Sequence, residues 1–183
     1  MSSEDVIALA TQRFIAGERI EVGEIAAASG VNRSTVYRRF HGRDGLLAEV
    51  IWNLTSMSME AAIRGATGSG ARRLTEVMVG FAARANSADY IRTFLNREPE
   101  RALRLMMTHE GGVQPRIIER IAEVIAEEIA AGSMVPPLPV PDLALILVRI
   151  TETFVYATVI SGEEPDAEKV RQACGALLGV VSA

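Results

Sequence analysis

The sequence predicts an all-α fold, with a small N-terminal group of helices followed by a larger helical domain. Apolar residues recur at helical spacing along most of the chain, whereas the alternation typical of β-strands is essentially absent. Glycines and prolines fall almost entirely between these apolar stretches, where helices begin and end. The composition agrees, because 49% of the residues are hydrophobic and only 5% are aromatic, which is ample for a packed helical core.

The N-terminal part is predicted to contain three short helices and one long helix. Gly17 ends the first helix, Gly30 ends the second, and Asn32 is a favourable N-cap for the third. Gly42 then separates the third helix from a longer fourth one, which ends in the glycine-rich segment GATGSG. The predicted ranges are about 6–15, 22–29, 33–40 and 43–63.

The rest of the chain is predicted to form six further helices. Pro99 and Pro115 each suit the first turn of a helix, where a missing N–H group has no cost. The segment PPLPVP is expected to be a stiff linker before the last two helices. The predicted ranges are about 71–85, 87–97, 99–109, 115–132, 142–160 and 165–180.

The most hydrophobic stretch, residues 143–160, is not expected to cross a membrane. Arg149 and Glu152 lie in its middle, where each charge would be costly at the centre of a bilayer. The N-terminal sequence MSSEDVIALA also lacks the basic start and long apolar run of a signal peptide. We therefore predict a cytoplasmic protein with no membrane partner.

The composition gives little support to an enzyme. The chain has one cysteine, Cys174, and two histidines, so neither an internal disulfide nor a metal cluster is predicted. It also lacks a glycine-rich phosphate loop. We predict no metal, no cofactor and no catalytic residue. The net charge of −4 at pH 7 argues against indiscriminate coating of nucleic acid, but it permits a local basic surface.

Residues 22–40, VGEIAAASGVNRSTVYRRF, have the features of a helix-turn-helix. Ala26 is a small residue that allows the first helix to approach its partner, and Gly30 tolerates a left-handed backbone in the turn. Val31 and Val36 can anchor the second helix while its polar side chains enter a major groove. An ordinary solvated helical hairpin is the alternative, but the turn, the small residue and a run of basic side chains coincide here.

The polar side chains of the second of these helices predict a DNA-contacting surface. Arginine suits guanine, asparagine suits adenine, and a threonine methyl group suits thymine, whereas Tyr37, His41 and Arg43 are better suited to phosphates. Four arginines and no acidic residue lie between Val31 and Arg43. The side chains predicted to be exposed are Asn32, Arg33, Ser34, Thr35, Tyr37, Arg38 and Arg39. The residues predicted to contact DNA are Asn32, Arg33, Ser34, Thr35, Tyr37, Arg38, His41 and Arg43.

This region resembles the tetracycline-repressor family, in the segment SGVNRSTVYRRFHGRDGLLAEV. The matching positions are Gly30, Val31, Ser34, Tyr37, Phe40, Arg43, Leu46 and Leu47. The resemblance implies that the first three helices bind DNA and that the remainder forms a ligand pocket and a dimer interface. We accordingly expect a DNA-binding domain at 1–45 and a ligand-binding and dimerisation domain at 46–183.

The sequence departs from the family pattern around its second helix. The loop GERIEV is short, and Ile20 and Glu21 replace the hydroxyl residue that usually caps this helix and bonds a phosphate. Gly23 lies inside the helix, where glycine costs about 1 kcal/mol relative to alanine. These departures weaken the case for phosphate contacts at the second helix, but they leave the recognition helix unaffected.

The C-terminal segments YIRTFLNREPERALRLMMT and QPRIIERIAEVIAEEIAAG resemble a subgroup that controls degradation of quorum-sensing lactones. That resemblance implies a small hydrophobic effector, either a lactone or another acyl-type molecule. Ordinary core packing is the alternative for each apolar candidate, helix capping for His109, and an internal pair with Glu152 for Arg149. The candidate pocket residues are Trp52, Met57, Met78, Phe81, Phe94, Met106, Met107, His109, Arg149 and Phe154.

The last two helices predict a homodimer. LALILVRITETFVYATVI is apolar nearly all round, and GALLGVV adds small residues that permit close helix approach. Core packing within one chain is the alternative. A two-fold dimer would place two recognition helices about 34–36 Å apart, so the operator should be a near-palindrome.

Together these features predict a DNA-binding transcriptional regulator, a dimeric repressor released from double-stranded DNA by its effector. Two alternatives stay open at this point. One is an enzyme acting on a small hydrophobic substrate, and the other is a helical interaction module that has lost DNA binding. Neither explains the run of exposed arginine, hydroxyl and tyrosine side chains on the third helix.

Overall fold

The computed structural model describes residues 3–180, and these residues confirm the all-α fold. The described residues form eleven helices. The helices are α1 (Ser3–Ile15), α2 (Val22–Ser29), α3 (Arg33–Phe40), α4 (Arg43–Gly65), α5 (Gly70–Asn86), α6 (Asp89–Arg97), α7 (Pro99–Met107), α8 (Val113–Ala130), α9 (Val140–Val155), α10 (Ala157–Ile160) and α11 (Ala167–Leu178).

The first eight helices match their predicted ranges to within a few residues. The prediction of one continuous helix over 142–160 is wrong, because Tyr156 leaves the helical conformation (φ −98°, ψ 18°) and separates α9 from α10. This part of the chain is rich in β-branched and aromatic side chains, which favour helix only weakly. The predicted linker is also too long, since α9 begins at Val140 with a proline in its first turn.

The chain divides into two compact units that alternate along the sequence. The first unit comprises the residues up to Ser56 together with Asp89–Gln114, and the second comprises Met57–Ala88 and the residues from Pro115 onward. The first unit therefore takes α6 and α7 from the middle of the chain. Compactness and function are different criteria, so the predicted functional boundary between residues 45 and 46 stays a prediction.

The first unit has an apolar core built from α1 to α4 and from α6 and α7. Phe14 packs edge-on against Phe94 with 5.4 Å between ring centroids, and its ring also lies near Tyr90. Outside this core, Arg97 donates from Nη2 to the carbonyl oxygen of Gly17 at 2.8 Å. The segment 89–107 is thus attached to the N-terminal helices by both apolar and polar contacts.

The second unit is organised around α5, α9 and α11, which pack against one another. Met78, Leu147 and Cys174 are fully buried there, and burial raises the pKa of the Cys174 thiol to about 12. Elsewhere in this unit the end of α4 is held to α8 by Arg120, whose Nε lies 2.7 Å from a carboxylate oxygen of Glu60. Among the described residues, no helix is both long and apolar enough to span a membrane.

Candidate nucleic-acid interface

The turn between α2 and α3 has the geometry that the sequence predicts. Gly30 adopts a left-handed conformation at φ 65°, and its N–H group caps the end of α2. The N–H of Val31 also donates to the carbonyl oxygen of Ala26, at 3.0 Å. Since a side chain at φ 65° would be strained, glycine at position 30 allows the turn that leads into α3.

Asn32 caps the N-terminus of α3, as predicted. Its Oδ1 accepts the backbone N–H of Ser34 at 2.9 Å and the Ser34 hydroxyl at 2.8 Å. Bidentate contact with adenine would need this same oxygen as an acceptor. The geometry therefore favours a capping role for Asn32, and direct base contact by its amide stays a prediction.

One face of α3 is buried and the other is open to solvent. Val36 and Phe40 are 1% and 7% exposed, and they attach the helix to the core of the first unit. Every side chain predicted to be exposed on α3 and its flanks is so, with Tyr37 at 60%. The exposed set comprises Asn32, Arg33, Ser34, Thr35, Tyr37, Arg38, Arg39 and His41.

The arginines on this face are unpaired. Over residues 3–180, Arg33, Arg38 and Arg39 take part in no ion pair, and no acidic side chain lies between them in the sequence. His41 follows them at the C-cap of α3, in a left-handed conformation at φ 56°. Unpaired guanidinium groups at the surface keep their full capacity to bind phosphates or the edges of bases.

Arg43, also predicted to contact DNA, lies in a very different environment. Its side chain is only 15% exposed. Its Nη1 and Nη2 form a bidentate pair with Glu98 at 2.7 and 2.6 Å, and its Nε donates to the carbonyl oxygen of Ile20 at 2.5 Å. The hydrogen bond to Glu98 raises the pKa of Arg43 further above its usual value. A phosphate contact by Arg43 stays a prediction, but its donors already have protein partners.

The N-terminus of α2 carries an acidic residue where the family pattern has a hydroxyl group. Glu21 occupies the N-cap position and makes no capping hydrogen bond with its side chain. Its carboxylate instead lies 2.8 Å from Arg19 Nε and 3.5 Å from Arg43 Nε. A negative charge here disfavours a nearby DNA phosphate, which agrees with the weakened prediction for this helix.

A network of ion pairs joins the start of α4 to α7. Glu98 accepts from Arg43 and from Arg101, and these hydrogen bonds, led by the one from Arg43, lower the pKa of the Glu98 carboxyl to about 2. Arg101 Nε also lies 2.9 Å from Asp44 Oδ1, although the two atoms are not aligned for a hydrogen bond. Arg104 Nη2 donates to Asp44 at 2.5 Å. Two carboxylates and three arginines are therefore linked in one cluster.

Sequence reasoning missed two residues of this region, Glu98 and Gly45. Glu98 precedes Pro99 and looks locally like an ordinary residue at a helix start. A Cβ atom at Gly45 would lie 1.8 Å from the carbonyl oxygen of Phe40, so only glycine allows α3 and α4 to meet this closely. The sequence did contain a signal for Gly45, because a glycine in the first turn of a predicted helix indicates a close backbone contact.

The candidate effector residues are divided between the two units. Met78, Phe94 and Met106 are buried, whereas Met57 is 63% exposed and His109 is exposed. Arg149 Nη1 lies 3.1 Å from Glu152, as expected for a pair one turn apart. Those in the first unit are Trp52, Phe94, Met106, Met107 and His109; those in the second are Met57, Met78, Phe81, Arg149 and Phe154. Their assignment to one effector pocket stays a prediction.

Comparison with known proteins agrees with the arrangement of these helices. Residues 18–50 match the model described as bacterial regulatory proteins of the tetR family, and residues 69–179 match the model for the tetracyclin repressor-like C-terminal domain. Among curated proteins, none matches the chain significantly.

Three solved structures illustrate the similarity of fold. The R. erythropolis transcriptional repressor QsdR is 26% identical and superposes with a TM-score of 0.90, over 98% of this chain and 95% of that one. AlkX from Dietzia sp., implicated in biodegradation of n-alkanes, is 22% identical with a TM-score of 0.64, over 98% and 97% of the two chains. The fatty acid degradation regulator FadR from Bacillus halodurans is 17% identical with a TM-score of 0.58, over 96% and 94%.

The C-terminal family model alone spans more than half of the chain, and the N-terminal model covers the helix-turn-helix described above. Members of this family dimerise, bind DNA operators and respond to small-molecule effectors. The chain therefore belongs to the tetR family of bacterial regulatory proteins, and it is a DNA-binding transcriptional regulator rather than an enzyme.

Proposed function

We propose that the protein is a cytoplasmic homodimeric repressor that leaves a near-palindromic operator when it binds a small hydrophobic effector of the lactone or acyl type. The observation that carries the proposal is the exposed face of α3. It presents three unpaired arginines beside hydroxyl and tyrosine side chains, on a protein of net charge −4. These arginines have no ion-pair partner within the described residues, and their N–H donors complement the N7 and O6 acceptors that guanine presents in the DNA major groove.

We propose that individual side chains on this surface divide into two groups. Arg33, Ser34, Thr35 and Arg38 contact base edges, because they lie along α3 within reach of the groove floor. Tyr37 and His41 contact phosphates from the end of the helix. Asn32 supports both groups by fixing the first turn, as its two hydrogen bonds to Ser34 indicate.

The dimer interface is assigned to α9 and α11. Leu145 and Ile146 are 40% and 37% exposed on α9, although large apolar side chains on a helix normally face a core. On α11, Ala176 is exposed, and its small side chain permits close approach of a second helix. An apolar strip together with a small residue suits a two-fold helical interface.

The effector class is supported by the resemblance of the C-terminal segments to regulators of lactone degradation. QsdR, at 26% identity over nearly the full chain, is similar enough for a comparable site to be tested. Methionine and phenylalanine side chains, which the candidate set contains, are suited to line an adaptable apolar pocket. Release requires that the effector bind more tightly to the DNA-free state than to the DNA-bound state.

The DNA-binding proposal is tested by fluorescence polarisation with DNA from upstream of the protein's own gene, at fixed salt. We expect tight binding by wild type and loss of at least a hundredfold in a Tyr37→Ala, Arg38→Ala double variant. Arg72→Ala is the matched control, because Arg72 is an exposed arginine of α5 outside the surface. If wild type prefers no fragment, including those from a genome-wide selection, the alternative of an interaction module without DNA binding replaces the proposal.

The dimer assignment is tested by charge insertion and light scattering. Leu145→Glu and Ile146→Glu are expected to convert the dimer to monomer, since each places a carboxylate in an apolar interface. Val135→Glu is the control, because Val135 is 93% exposed and apolar but lies between α8 and α9. A dimer that survives both α9 variants would show that a different surface forms the interface.

The effector proposal is tested by adding a series of acyl-homoserine lactones and free fatty acids to the protein–DNA complex. Release of DNA by one class, with a matching rise in melting temperature of the free protein, supports the assignment. Effector-induced release of DNA is then measured for Arg149→Ala. A weaker response than in wild type would indicate that Arg149 anchors the head group, and an unchanged response would indicate that it only pairs with Glu152. If none of these compounds shifts the binding curve, the proposed effector class is wrong.

A further inference from the structure

We propose that Glu98 is a positioning residue for DNA binding, which acts through Arg43 to fix the start of α4 and the loop before α2. It has no place on the DNA-binding surface of α3 and lies at the start of α7. The proposal rests on DNA binding through α3, but its first test needs no DNA. It assigns Arg43 to this clamp rather than to a phosphate.

The guanidinium of Arg43 is bound at all three of its nitrogens. Two of its nitrogens bind the two carboxylate oxygens of Glu98, and the third binds the carbonyl oxygen of Ile20. Arg43 itself begins α4, and its partners come from two further segments, the loop after α1 and the residue before α7. A planar fork held at all three nitrogens has one orientation, so the three segments are held in one arrangement.

Glu98 is itself immobilised. Arg101, one turn further along α7, also donates to its carboxylate. Pro99 follows immediately and begins α7 with a fixed backbone. The Glu98 side chain is 14% exposed, so solvent competes weakly for its oxygens. Residues of α7 therefore fix the position of the Glu98 carboxylate, and the carboxylate in turn fixes the position of the Arg43 guanidinium.

The clamp is connected to α3 through the loop before α2 and through the start of α4. Ile20, whose carbonyl oxygen accepts from Arg43 Nε, is buried two residues before the start of α2. At the other side, the N–H of Gly42 donates to the carbonyl oxygen of Tyr37, and Gly45 is packed against the backbone of Phe40. The end of α3 and the start of α4 are therefore packed directly against each other. A change in the orientation of Arg43 thus alters both helices of the helix-turn-helix.

The sign of the effect separates this proposal from simple electrostatics. Replacing Glu98 by glutamine removes one negative charge and releases a guanidinium, so a purely electrostatic effect would strengthen binding to DNA. Loss of a positioning contact would weaken it. The two explanations therefore predict opposite outcomes for one substitution.

The experiment compares Glu98→Gln with Glu100→Gln. Glu100 is the matched control because it is exposed, lies two residues away on α7, and forms no ion pair within the described chain. The first measurement is amide hydrogen exchange of the DNA-free protein. We expect exchange in α2 and α3 at least tenfold faster in Glu98→Gln than in wild type, and unchanged in Glu100→Gln.

The second measurement is affinity for the DNA fragment that wild type binds, taken from upstream DNA or from the genomic selection. We expect about tenfold weaker binding by Glu98→Gln and unchanged or slightly tighter binding by Glu100→Gln. Arg43→Lys provides a second variant, since lysine keeps the charge for a phosphate but loses the bidentate fork. If Arg43 acts through Glu98, this variant binds as weakly as Glu98→Gln, and combining the two adds little.

Three outcomes would overturn the proposal. The first is an exchange pattern in α2 and α3 that does not distinguish Glu98→Gln from Glu100→Gln. The second is tighter DNA binding by Glu98→Gln than by wild type. The third is full affinity in Arg43→Lys, which would assign Arg43 to a phosphate contact. Absence of DNA binding by wild type would refute the proposed function and leave the exchange test of the clamp intact.

Discussion

The arginines of α3 and the arginine that opens α4 lie within eleven residues of one another, yet their environments are opposite. Arg33, Arg38 and Arg39 are exposed, and over the described residues they have no acidic partner. Arg43 is largely buried and all three of its nitrogens are occupied. Basic residues that are close in sequence therefore need not belong to the same surface. Partners decide which arginines can bind DNA and which ones hold the helices that do so.

The physical basis of this difference is desolvation. An exposed guanidinium keeps its hydration until a phosphate replaces it, so the fold neither gains nor loses much from it. A guanidinium at 15% exposure has lost most of its water and depends on Glu98 for compensation. Mutations in the first group should therefore change DNA binding alone, whereas mutations in the second should change stability as well.

Replacement of Gly45 by alanine should have the largest effect, because it disturbs both the exposed arginines of α3 and the paired Arg43 of α4. The new Cβ would meet backbone, 1.8 Å from the carbonyl oxygen of Phe40, and backbone cannot rotate aside. We expect a loss of about 3 kcal/mol in the free energy of unfolding and no detectable DNA binding, measured by urea denaturation and fluorescence polarisation.

Gly23→Ala is the control for this prediction. Gly23 lies inside α2, and its Cβ would have only an ordinary contact, at 3.9 Å, with the flexible side chain of Arg33. Alanine there should raise the free energy of unfolding by about 1 kcal/mol, because glycine is unfavourable within a helix. Equal destabilisation by both substitutions would mean that the α3–α4 corner is not the constraint proposed here.

Arg43→Ala and Arg38→Ala should separate the two groups of arginines directly. Arg43→Ala leaves Glu98 without its main partner and should cost about 3 kcal/mol of stability, whereas Arg38→Ala should stay within about 0.5 kcal/mol of wild type. Arg38→Ala should relax the preference at the base pair that Arg38 contacts. It should also reduce the slope of log K against log salt by up to about one, because a cation close to the phosphates is lost.

Arg43→Ala, in contrast, should weaken DNA binding with little change in that slope. The slope is measured by repeating the polarisation titration at several salt concentrations. A reduced slope for Arg43→Ala with unchanged stability would place Arg43 with the exposed arginines, and the comparison would fail.

The clamp should also be visible in the dependence of stability on pH. The folded pKa of Glu98 is about 2, against an ordinary value of 4.5, so ionised Glu98 stabilises the fold above about pH 4.5. This stabilisation is lost as the pH falls from 4.5 through 2, because the carboxylate takes up a proton. At about 1.4 kcal/mol per pKa unit, the difference between wild type and Glu98→Gln should narrow by about 3 kcal/mol over that range.

The measurement for this prediction is urea denaturation of both proteins at intervals between pH 7 and pH 2. Glu60 and Glu128 also have lowered pKa values, through hydrogen bonds led by those from Arg120 and Ser133. Both proteins share these carboxylates, so their effect cancels in the difference. If the free energies of unfolding of the two proteins change in parallel with pH, the charge of Glu98 does not contribute to stability.

Most of the local structure could be predicted from the sequence because its causes are local. Gly30 ends α2 and Asn32 caps α3 through contacts within a few residues. The two faces of α3 follow from the spacing of Val36 and Phe40. The exposed part of the candidate site therefore follows from helical periodicity alone.

What could not be predicted depends on contacts between distant parts of the chain. Arg43 and Glu98 are separated by 55 positions, and no local pattern indicates that they meet. The inclusion of α6 and α7 in the same compact unit as the helix-turn-helix is equally non-local. Arg43 looked like its exposed neighbours because sequence spacing does not report which charges are paired. The break at Tyr156 was missed because a long apolar pattern indicates helix without locating small deviations within it.

Asn32 should show the smallest effects, because its side chain is exposed with the α3 arginines and also stabilises the fold as the N-cap of α3. Asn32→Ala removes the acceptor for the Ser34 N–H group and should cost about 1 kcal/mol of stability, read from urea denaturation. Asn32→Asp keeps an acceptor at the N-cap and should retain wild-type stability. It also places a negative charge beside the proposed DNA surface, so its affinity should fall about tenfold at low salt and less at high salt. If Asn32→Asp binds DNA as well as wild type, the N-cap of α3 lies away from the phosphates, and the interface is confined to the exposed residues further along the helix.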